Sequence, residues 1–410
     1  MKEIPVLTIR QQARQNREET IAERRYLHSN PELSFMEVNT AAYIQQQLTG
    51  AGISWEQKAG TGVVAVIHGG LGSLPVIALR SDMDALPIAE NTGAVYRSLN
   101  AGVMHACGHD AHMATLLGAA RILQHMRKEF SGIIKLIFQP AEEKLPGGAK
   151  AMISEGVLVN PVPEVVFGQH VRPDLPAGKV GICKGLSMAS MDEIFVKITG
   201  KGGHAAQPNA VIDPVNIAAQ LIVAMQQVVS RFADPLTPTV LSFGKLTANG
   251  AINIIPDEVL MEGTFRTFDE QWRCEAHKRM KLLAENLAGS MGGECEFTIN
   301  CGYPSLHNDE QLCDRWTQYA TDYIGEENVI HTGKWMASED FAYYSLNRPS
   351  VFYYLGVGNA KKNITAPLHS ANFNIDEDAL EIGVGLMVYI ALRELMHHSK
   401  TLTNTNSFTR

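Results

Sequence analysis

The chain has 410 residues, of which 45% are apolar and 19% charged, and its formal net charge at pH 7 is −8. This composition is typical of an ordinary globular protein, and the length favours two domains over one hydrophobic core. The negative charge disfavours a surface for nucleic acid or anionic membrane, and no apolar run is long enough to span a bilayer. The N-terminus is polar, unlike a secretory signal, and the six cysteines form no CxxC pair. A reducing cytoplasm is therefore the expected location.

The first part of the chain predicts an α/β domain with a largely parallel sheet. Helical spacing and short apolar runs bounded by Gly or Pro predict helices over 8–49 (broken at 30–31) and 110–126, and strands at 63–67, 76–79, 133–138 and 165–167. Strands that alternate with helices are typical of parallel sheets, whose ligands bind beyond the carboxyl ends of the strands. Asp82, Glu142 and His170 are all expected at such ends.

The pattern changes near residue 184. From there the expected order is strand–helix–strand–strand–helix–strand, at residues 194–198, 213–232, 239–245, 258–268, 271–288 and 296–300. This order is typical of a ferredoxin-like α+β unit, here inserted into the first domain. The α/β pattern resumes after residue 301, with a further strand at 351–355. We predict a catalytic domain of residues 1–183 and 301–398, an inserted lid or dimerisation domain of residues 184–300, and a polar tail of residues 399–410.

The most informative motif is a cysteine and a histidine two residues apart, directly before a predicted helix. Cys107 and His109 could both reach one metal ion from a turn. On its own, this spacing more often indicates a buried cysteine beside a helix-capping histidine. Other candidate ligands are therefore needed to support a metal site. His112 is also near in sequence, but we expect the helix to turn it away from the site.

Two pairs of carboxylates follow predicted strands. Asp82 and Asp84 flank one residue, and alternate residues of an extended segment point the same way. Two such carboxylates repel each other unless a cation lies near them. Glu142 and Glu143 are adjacent, so one could bind a metal ion while its neighbour takes the proton from metal-bound water. Ordinary acidic turns are the alternative interpretation of both pairs.

Two further histidines complete the candidate site. His170 and His369 would each, alone, more often be structural than ligating. Together with the thiol and the carboxylates they make the ligand set of a hydrolytic divalent-metal site. Such a mixed set suits zinc, manganese, nickel or cobalt.

Three residues of the predicted inserted domain are candidates for substrate contacts. His204 ends a Gly-rich turn and could stabilise an oxyanion. Arg266 could bind a carboxylate through its bidentate fork, and Asn253 could assist it. A surface turn is the alternative interpretation for His204.

These motifs together resemble the aminoacylase/carboxypeptidase family of dinuclear metallohydrolases. Within it, the resemblance is to the amidohydrolase branch of hippurate hydrolases, N-acyl-L-amino acid amidohydrolases and indole-acetyl-amino-acid hydrolases. The motifs follow the family's order along nearly the whole chain. The matching stretches are residues 80–87, 104–112, 138–143, 200–208, 263–268, 336–341 and 367–370.

The resemblance assigns roles to the candidate residues. Two divalent metal ions would be held by Cys107, His109, Glu143, His170 and His369. Glu142 would be the general base and proton shuttle, and Asp84 would orient a ligand histidine or the metal site. His204 would reach the active site of a partner subunit in a homodimer formed through the inserted domain. Asn253 and Arg266 would hold the substrate's carboxylate.

The implied reaction is hydrolysis of N-acyl amino acids to a carboxylic acid and a free amino acid. A dipeptidase or carboxypeptidase of the same fold, or an N-acetyl-diaminopimelate deacetylase, remains an alternative. A metal-stabilised binding protein is disfavoured by the spare carboxylate of Glu142. A cysteine hydrolase using Cys107 with His109 is disfavoured because residues this close in sequence rarely align as nucleophile and base.

Overall fold

The computed structural model describes residues 5–407, with side chains to residue 400. Two compact units are present. Within the described residues, the first unit runs to Gly185 and also contains His307–Gly333 and the chain from Asp340 onward. The second unit consists of Leu186–Leu306 and Lys334–Glu339. None of the described helices is both long and apolar enough to cross a membrane.

Helices and strands cover most of the described chain. The α-helices are α1 (Val6–Gln15), α2 (Arg17–Ser29), α3 (Val38–Gly50), α4 (His109–His125), α5 (Gly148–Ser154), α6 (Pro214–Gln227), α7 (Glu270–Ser290), α8 (Glu310–Ile324), α9 (Ala342–Ser345) and α10 (Ala379–Ser407). The strands are β1 (Trp55–Lys58), β2 (Gly62–His68), β3 (Val76–Asp82), β4 (Ile133–Gln139), β5 (Val165–Pro176), β6 (Val180–Ile182), β7 (Gly185–Met188), β8 (Asp192–Thr199), β9 (Gly203–His204), β10 (Thr239–Thr247), β11 (Ile254–Ile255), β12 (Glu258–Thr267), β13 (Glu294–Cys301), β14 (Leu306–Asn308), β15 (Val329–His331) and β16 (Ser350–Gly358).

The first unit is built on an eight-stranded sheet in the order β1-β2-β4-β3-β5-β16-β6-β15. Its central strands β4, β3, β5 and β16 are parallel, whereas β1, β2 and β6 pair antiparallel with a neighbour. Strands β3, β4 and β16 are buried along their whole length, as parallel strands are when both faces are covered. The predicted α/β class with a mostly parallel sheet is therefore confirmed.

The register of the sheet places the last residues of β3 and β4 and His170 of β5 at about the same height along the strands. Asp82 ends β3 and pairs with Gln139, the last residue of β4. Strand β5 pairs with β3 only as far as Gly168, so His170 lies two residues further along, near the level of Asp82. We expected His170 at the end of its strand. It lies inside β5 instead, because β5 continues along β16 to Pro176.

Helix α4 begins at a backbone position that requires glycine. Gly108 precedes the helix with a φ of +84°, in the left-handed region that L side chains rarely adopt. A Cβ atom on Gly108 would lie 2.3 Å from Cγ2 of Val171 on β5. The glycine thus permits both the turn and the close approach, and Cys107 and His109 flank it.

The second unit has a four-stranded antiparallel sheet in the order β10-β12-β8-β13, which is the strand order of a ferredoxin-like unit. Helices α6 and α7 supply Leu221 and Met280 to a core that also contains Ile194 of β8. Helix α6 starts at Pro214, and the carboxylate of Asp213 accepts hydrogen bonds from two backbone N–H groups of its first turn.

The predicted polar tail from residue 399 onward starts inside a helix. Helix α10 begins at Ala379 and continues to Ser407. Each added residue of a helix gains a backbone hydrogen bond at little cost once the helix is nucleated, so a polar sequence can extend it. Residues 408–410 lie outside the described part of the chain.

Candidate metal centre

The five metal ligands implied by the resemblance all lie in the first unit, and the structure brings them together. Cys107, His109 and His170 form one group whose ligand atoms lie within 4.8 Å of one another. Cys107, Glu143 and His369 form a second such group. Because Cys107 belongs to both, its sulfur stands where a ligand shared by two metal ions would be.

The sulfur of Cys107 lies between two imidazoles. Its Sγ is 3.5 Å from Nε2 of His170 and 3.3 Å from Nε2 of His369. Burial, together with the charges of Glu143 and Glu142, raises the pKa of the Cys107 thiol. This disfavours a free nucleophilic thiolate, whereas a bound divalent cation deprotonates a coordinating thiol. The surroundings of Cys107 therefore suit a metal ligand better than a cysteine nucleophile.

The two flanking histidines are held with Nε2 toward the sulfur. His170 donates from Nδ1 to the carbonyl oxygen of Val171, at 2.7 Å, which leaves Nε2 as the free lone pair. His369 has a φ of +60°, and its backbone N–H donates to the carbonyl of Ala106 at 2.8 Å. A left-handed non-glycine residue costs about 1–2 kcal/mol. Strained residues of this kind persist where the surrounding structure holds them in place, and they are concentrated at active and ligand-binding sites.

His109 is fully buried and faces three carboxylates. Its Nε2 lies 3.8 Å from Asp82, 4.0 Å from Glu142 and 3.9 Å from Glu143, and forms no hydrogen bond with any described residue. A buried polar atom without a partner costs about 1–3 kcal/mol. Burial lowers the pKa of His109, but the carboxylates of Asp82 and Asp84 outweigh it and raise the pKa to about 10. The site thus favours positive charge, as divalent cations would supply.

Asp84 is tied to the acidic loop after β4. Its two carboxylate oxygens accept the backbone N–H groups of Glu142 and Glu143, both at 2.9 Å. Its Oδ1 also lies 3.4 Å from Nδ1 of His109. Asp84 is buried, so it does not belong to a solvated acidic turn. The geometry suits the orienting role that the resemblance implies.

His112 faces the site, and our expectation that the helix turns it away was wrong. It lies three residues after His109, and such residues are neighbours on one helix face. The two ring centroids are 5.4 Å apart. His112 donates from Nδ1 to Asp82 at 2.6 Å and accepts the N–H of Val171 at Nε2, at 2.8 Å. Since both ring nitrogens are used, His112 positions Asp82; the spacing could have revealed this.

Asp82 has a second buried partner that sequence reasoning did not identify. Arg80 donates to Asp82 and to Asp340, each at 2.8 Å. Burial opposes ionisation of Asp82, but His109, His112 and Arg80 hold its pKa well below the usual range. Asp340 lies in the matching stretch 336–341, but the resemblance gave it no individual role, and only the fold brings it to Arg80, 260 residues away along the chain.

The three candidate substrate contacts lie in the second unit. His204, on β9, is exposed and pairs with Ile254 of β11. The N–H of Ala205 donates to the carbonyl of Asn253 at 3.0 Å, so His204 and Asn253 are neighbours. Arg266 is half-buried on β12 and donates to the carbonyl of Met336 at 3.0 Å.

Arg266 carries a charge that no described carboxylate offsets. Burial alone lowers the pKa of its guanidinium, and none of the acidic residues described contributes to it. A half-buried cation without an acidic partner is suited to binding an anionic group from outside. Its role in holding a substrate carboxylate remains a prediction.

Comparisons with known proteins identify a family and several similar chains. The profile of the family described as Peptidase family M20/M25/M40 matches residues 78–393. An Arabidopsis thaliana protein named IAA-amino acid hydrolase ILR1-like 4 is 38% identical over 391 residues, covering 93% of this chain and 87% of that protein. A Bacillus subtilis protein named N-acetylcysteine deacetylase is 40% identical over 361 residues, covering 88% of this chain and 92% of that protein.

A solved structure shares the fold. The Bacillus subtilis YXEP protein, described as a dinuclear metal binding peptidase from the M20 family, superposes with a TM-score of 0.79 at 36% identity. The match covers 93% of this chain and 99% of that one. It extends beyond the residues matched by the family profile and includes most of the described chain.

Proposed function

We propose that this chain, which belongs to peptidase family M20/M25/M40, is a metal-dependent amidohydrolase that cleaves N-acyl amino acids into a carboxylic acid and a free amino acid. The observation that carries the proposal is the pair of ligand groups that share Cys107, with the carboxylate of Glu142 beside them. The names of the two similar hydrolases support an N-acyl amino acid as substrate. A binding protein without turnover would not need Glu142 at this place.

Two divalent metal ions fit the residues of the first unit. Cys107, His109 and His170 would hold one ion, and Cys107, Glu143 and His369 the other. Bound there, such ions lower the pKa of a water molecule toward neutrality and polarise the amide carbonyl. The thiolate, imidazole and carboxylate ligands accommodate zinc, manganese, nickel or cobalt.

The protein's own residues carry the proton and position the substrate. Glu142 accepts a proton from the attacking water and passes it to the leaving nitrogen. Asp84 keeps Glu142 in place through its backbone N–H. His204 donates to the carbonyl oxygen as negative charge develops there. Arg266 and Asn253 bind the carboxylate of the amino-acid part, which is the group common to all N-acyl amino acids.

A substrate panel tests the proposed reaction. Protein loaded with manganese or zinc is incubated with N-acetyl, N-benzoyl and indole-acetyl amino acids, N-acetyl-diaminopimelate and dipeptides, and the free amino acid is measured. We expect release from the N-acyl substrates that a chelator abolishes and added metal restores. Faster cleavage of dipeptides would favour the peptidase alternative, which the description of the YXEP protein supports. Turnover that is unaffected by chelation would contradict the proposal.

The protein is proposed to act as a homodimer formed through its second unit, so that His204 completes the partner's site. Three apolar residues of this unit are strongly exposed, with Val223 at 70%, Leu236 at 90% and Ile252 at 104%. Strand β10 lies at one edge of the four-stranded sheet. Exposed apolar side chains and an unpaired strand edge are features that a second copy would cover.

Mixed dimers test the shared site. The variants His204→Ala and Glu142→Gln should each be nearly inactive alone. After mixing and subunit exchange we expect about a quarter of wild-type activity, because half of the dimers are mixed and each contains one complete site. Mixing Glu142→Gln with Glu143→Ala is the control, since both changes lie in the first unit and no complete site can form. Activity equal to the sum of the separate variants would contradict a shared site.

A cytoplasmic location suits the cysteines of this chain. Each of the six is free, and Cys274 and Cys301 are exposed. Cys107 must stay reduced to bind metal. A reducing compartment protects all of them.

A further inference from the structure

The short connection between α2 and α3, residues 30–37, contains none of the candidate metal ligands or substrate contacts. Glu37 directly precedes α3, yet its side chain does not cap the helix. That task belongs to Glu32, whose Oε2 accepts the N–H and the hydroxyl of Thr40, each at 2.9 Å. The carboxylate of Glu37 instead accepts the backbone N–H of Phe35 within the connection, at 3.0 Å, and also reaches beyond it.

Glu37 turns inward to the loop that carries Glu142. It is fully buried, and its Oε1 accepts the backbone N–H of Ala141 at 2.8 Å, while Thr61 donates to its Oε2 at 2.7 Å. Burial raises the pKa of Glu37, and the charge of Asp84 raises it further. No ion pair joins Glu37 to a described cation, and burying an acidic group without one is costly unless hydrogen bonds compensate.

The residue that Glu37 holds is strained. Ala141 has a φ of +50°, which costs a non-glycine residue about 1–2 kcal/mol. The hydrogen bond from its N–H to Glu37 fixes this conformation immediately before Glu142. A small rotation at Ala141 would move the carboxylate of Glu142 relative to the metal ligands.

Three successive backbone N–H groups are thus bound by two buried carboxylates. Glu37 accepts from Ala141, and Asp84 accepts from Glu142 and Glu143. The connection before α3 contributes to both, because the hydroxyl of Ser34 donates to Oδ2 of Asp84 at 2.6 Å.

We propose that Glu37 and Ser34 are positioning residues for the amide hydrolysis proposed above, holding Ala141, Glu142 and Glu143 in the reactive geometry. The expected effect on kcat rests on the proposed function. The expected effect on metal binding rests only on the cluster of candidate ligands. Glu37 acts through Ala141 on the proton shuttle, and Ser34 acts through Asp84. Neither residue needs to touch substrate.

The test compares kinetics, metal binding and folding in three variants. We expect Glu37→Ala to lower kcat about 10–100-fold with a smaller change in KM, because positioning partners of metal sites typically contribute this much. Glu37→Gln keeps an oxygen that can accept the N–H of Ala141 and should restore most of the activity. Ser34→Ala should lower kcat less, about 3–10-fold, because Asp84 keeps its two backbone hydrogen bonds. The absorption spectrum of the cobalt-substituted protein should change in Glu37→Ala but not in Glu37→Gln.

Glu23→Ala is the matched control. Glu23 is also a buried glutamate, on α2, and its two carboxylate oxygens accept hydrogen bonds from Arg121 of α4. This variant should lower the melting temperature while leaving kcat and the cobalt spectrum unchanged. The proposal is overturned if Glu37→Ala alters kcat and the spectrum no more than Glu23→Ala does. If the wild type turns over no amide, the proposed function fails, and the cobalt spectra still decide whether Glu37 positions the loop.

Discussion

Replacing Glu142 with glutamine is expected to lower kcat about 10²–10⁴-fold, the usual contribution of a general acid–base group. Glutamine has nearly the same shape and leaves the hydrogen bond from the backbone N–H of residue 142 to Asp84 intact. It cannot accept the proton of the attacking water or return one to the leaving nitrogen. The measurement is kcat and KM for an N-acyl amino acid, together with metal content and melting temperature.

The adjacent glutamate supplies the contrast. Glu143→Gln should lose metal as well as activity, because Glu143 belongs to the ligand group with Cys107 and His369. Glu142→Gln should retain its metal and its melting temperature. A Glu142→Gln protein that turns over at more than about a tenth of the wild-type rate would exclude the proposed mechanism.

Replacing Gly108 with alanine is expected to disrupt the metal centre by straining the backbone next to its ligands. The new Cβ would lie 2.3 Å from Val171, and the residue would have to keep a φ of +84°. Relief of the contact requires the buried Val171 side chain to rotate within the core, or the Cys107–His109 turn or strand β5 to move, and both of these segments carry ligands. We expect a loss of about 2–4 kcal/mol in the free energy of unfolding and at least a tenfold loss of metal affinity.

Gly102→Ala is a control for backbone strain alone. Gly102 lies a few residues earlier with a φ of +78°, and nothing lies within 4 Å of its would-be Cβ. In this variant the free energy of unfolding should fall by about 1 kcal/mol, and the metal affinity should be unchanged. Chemical denaturation and metal titration of the two variants separate the effects. Equal metal affinity in Gly108→Ala and the wild type would show that the close approach to Val171 does not shape the site.

The fold class could be predicted from the sequence because its signals are local. Short apolar runs and helical periodicity mark the strands and helices of both units, and the Asp213-Pro214 pair marks the start of α6. The ordered motifs also identified the ligand candidates. These signals depend on neighbouring residues along the chain, which the sequence displays directly.

Local signals were insufficient where the position of a side chain depended on a partner distant in sequence. The spacing of His112 from His109 predicts a shared face of α4, but the partners that fix its ring, Asp82 and Val171, are 30 and 59 residues away. Asp340 lies in a matching stretch, but its contact with Arg80, 260 residues away, was not identified. The contact of Glu37 with Ala141, 104 residues away, was not identified either.

The residue types of this protein thus established the kind of chemistry, and packing established its geometry. Cysteine, histidine and carboxylate side chains can bind a divalent metal in any fold, so their presence in ordered motifs was informative from the start. Distances of a few ångströms decide which ligand is shared by two metal ions. They also decide which histidine supports a carboxylate and which residues hold Glu142 in place. Those distances arise only when the register of the sheet and the start of α4 bring Asp82, His109 and His170 together.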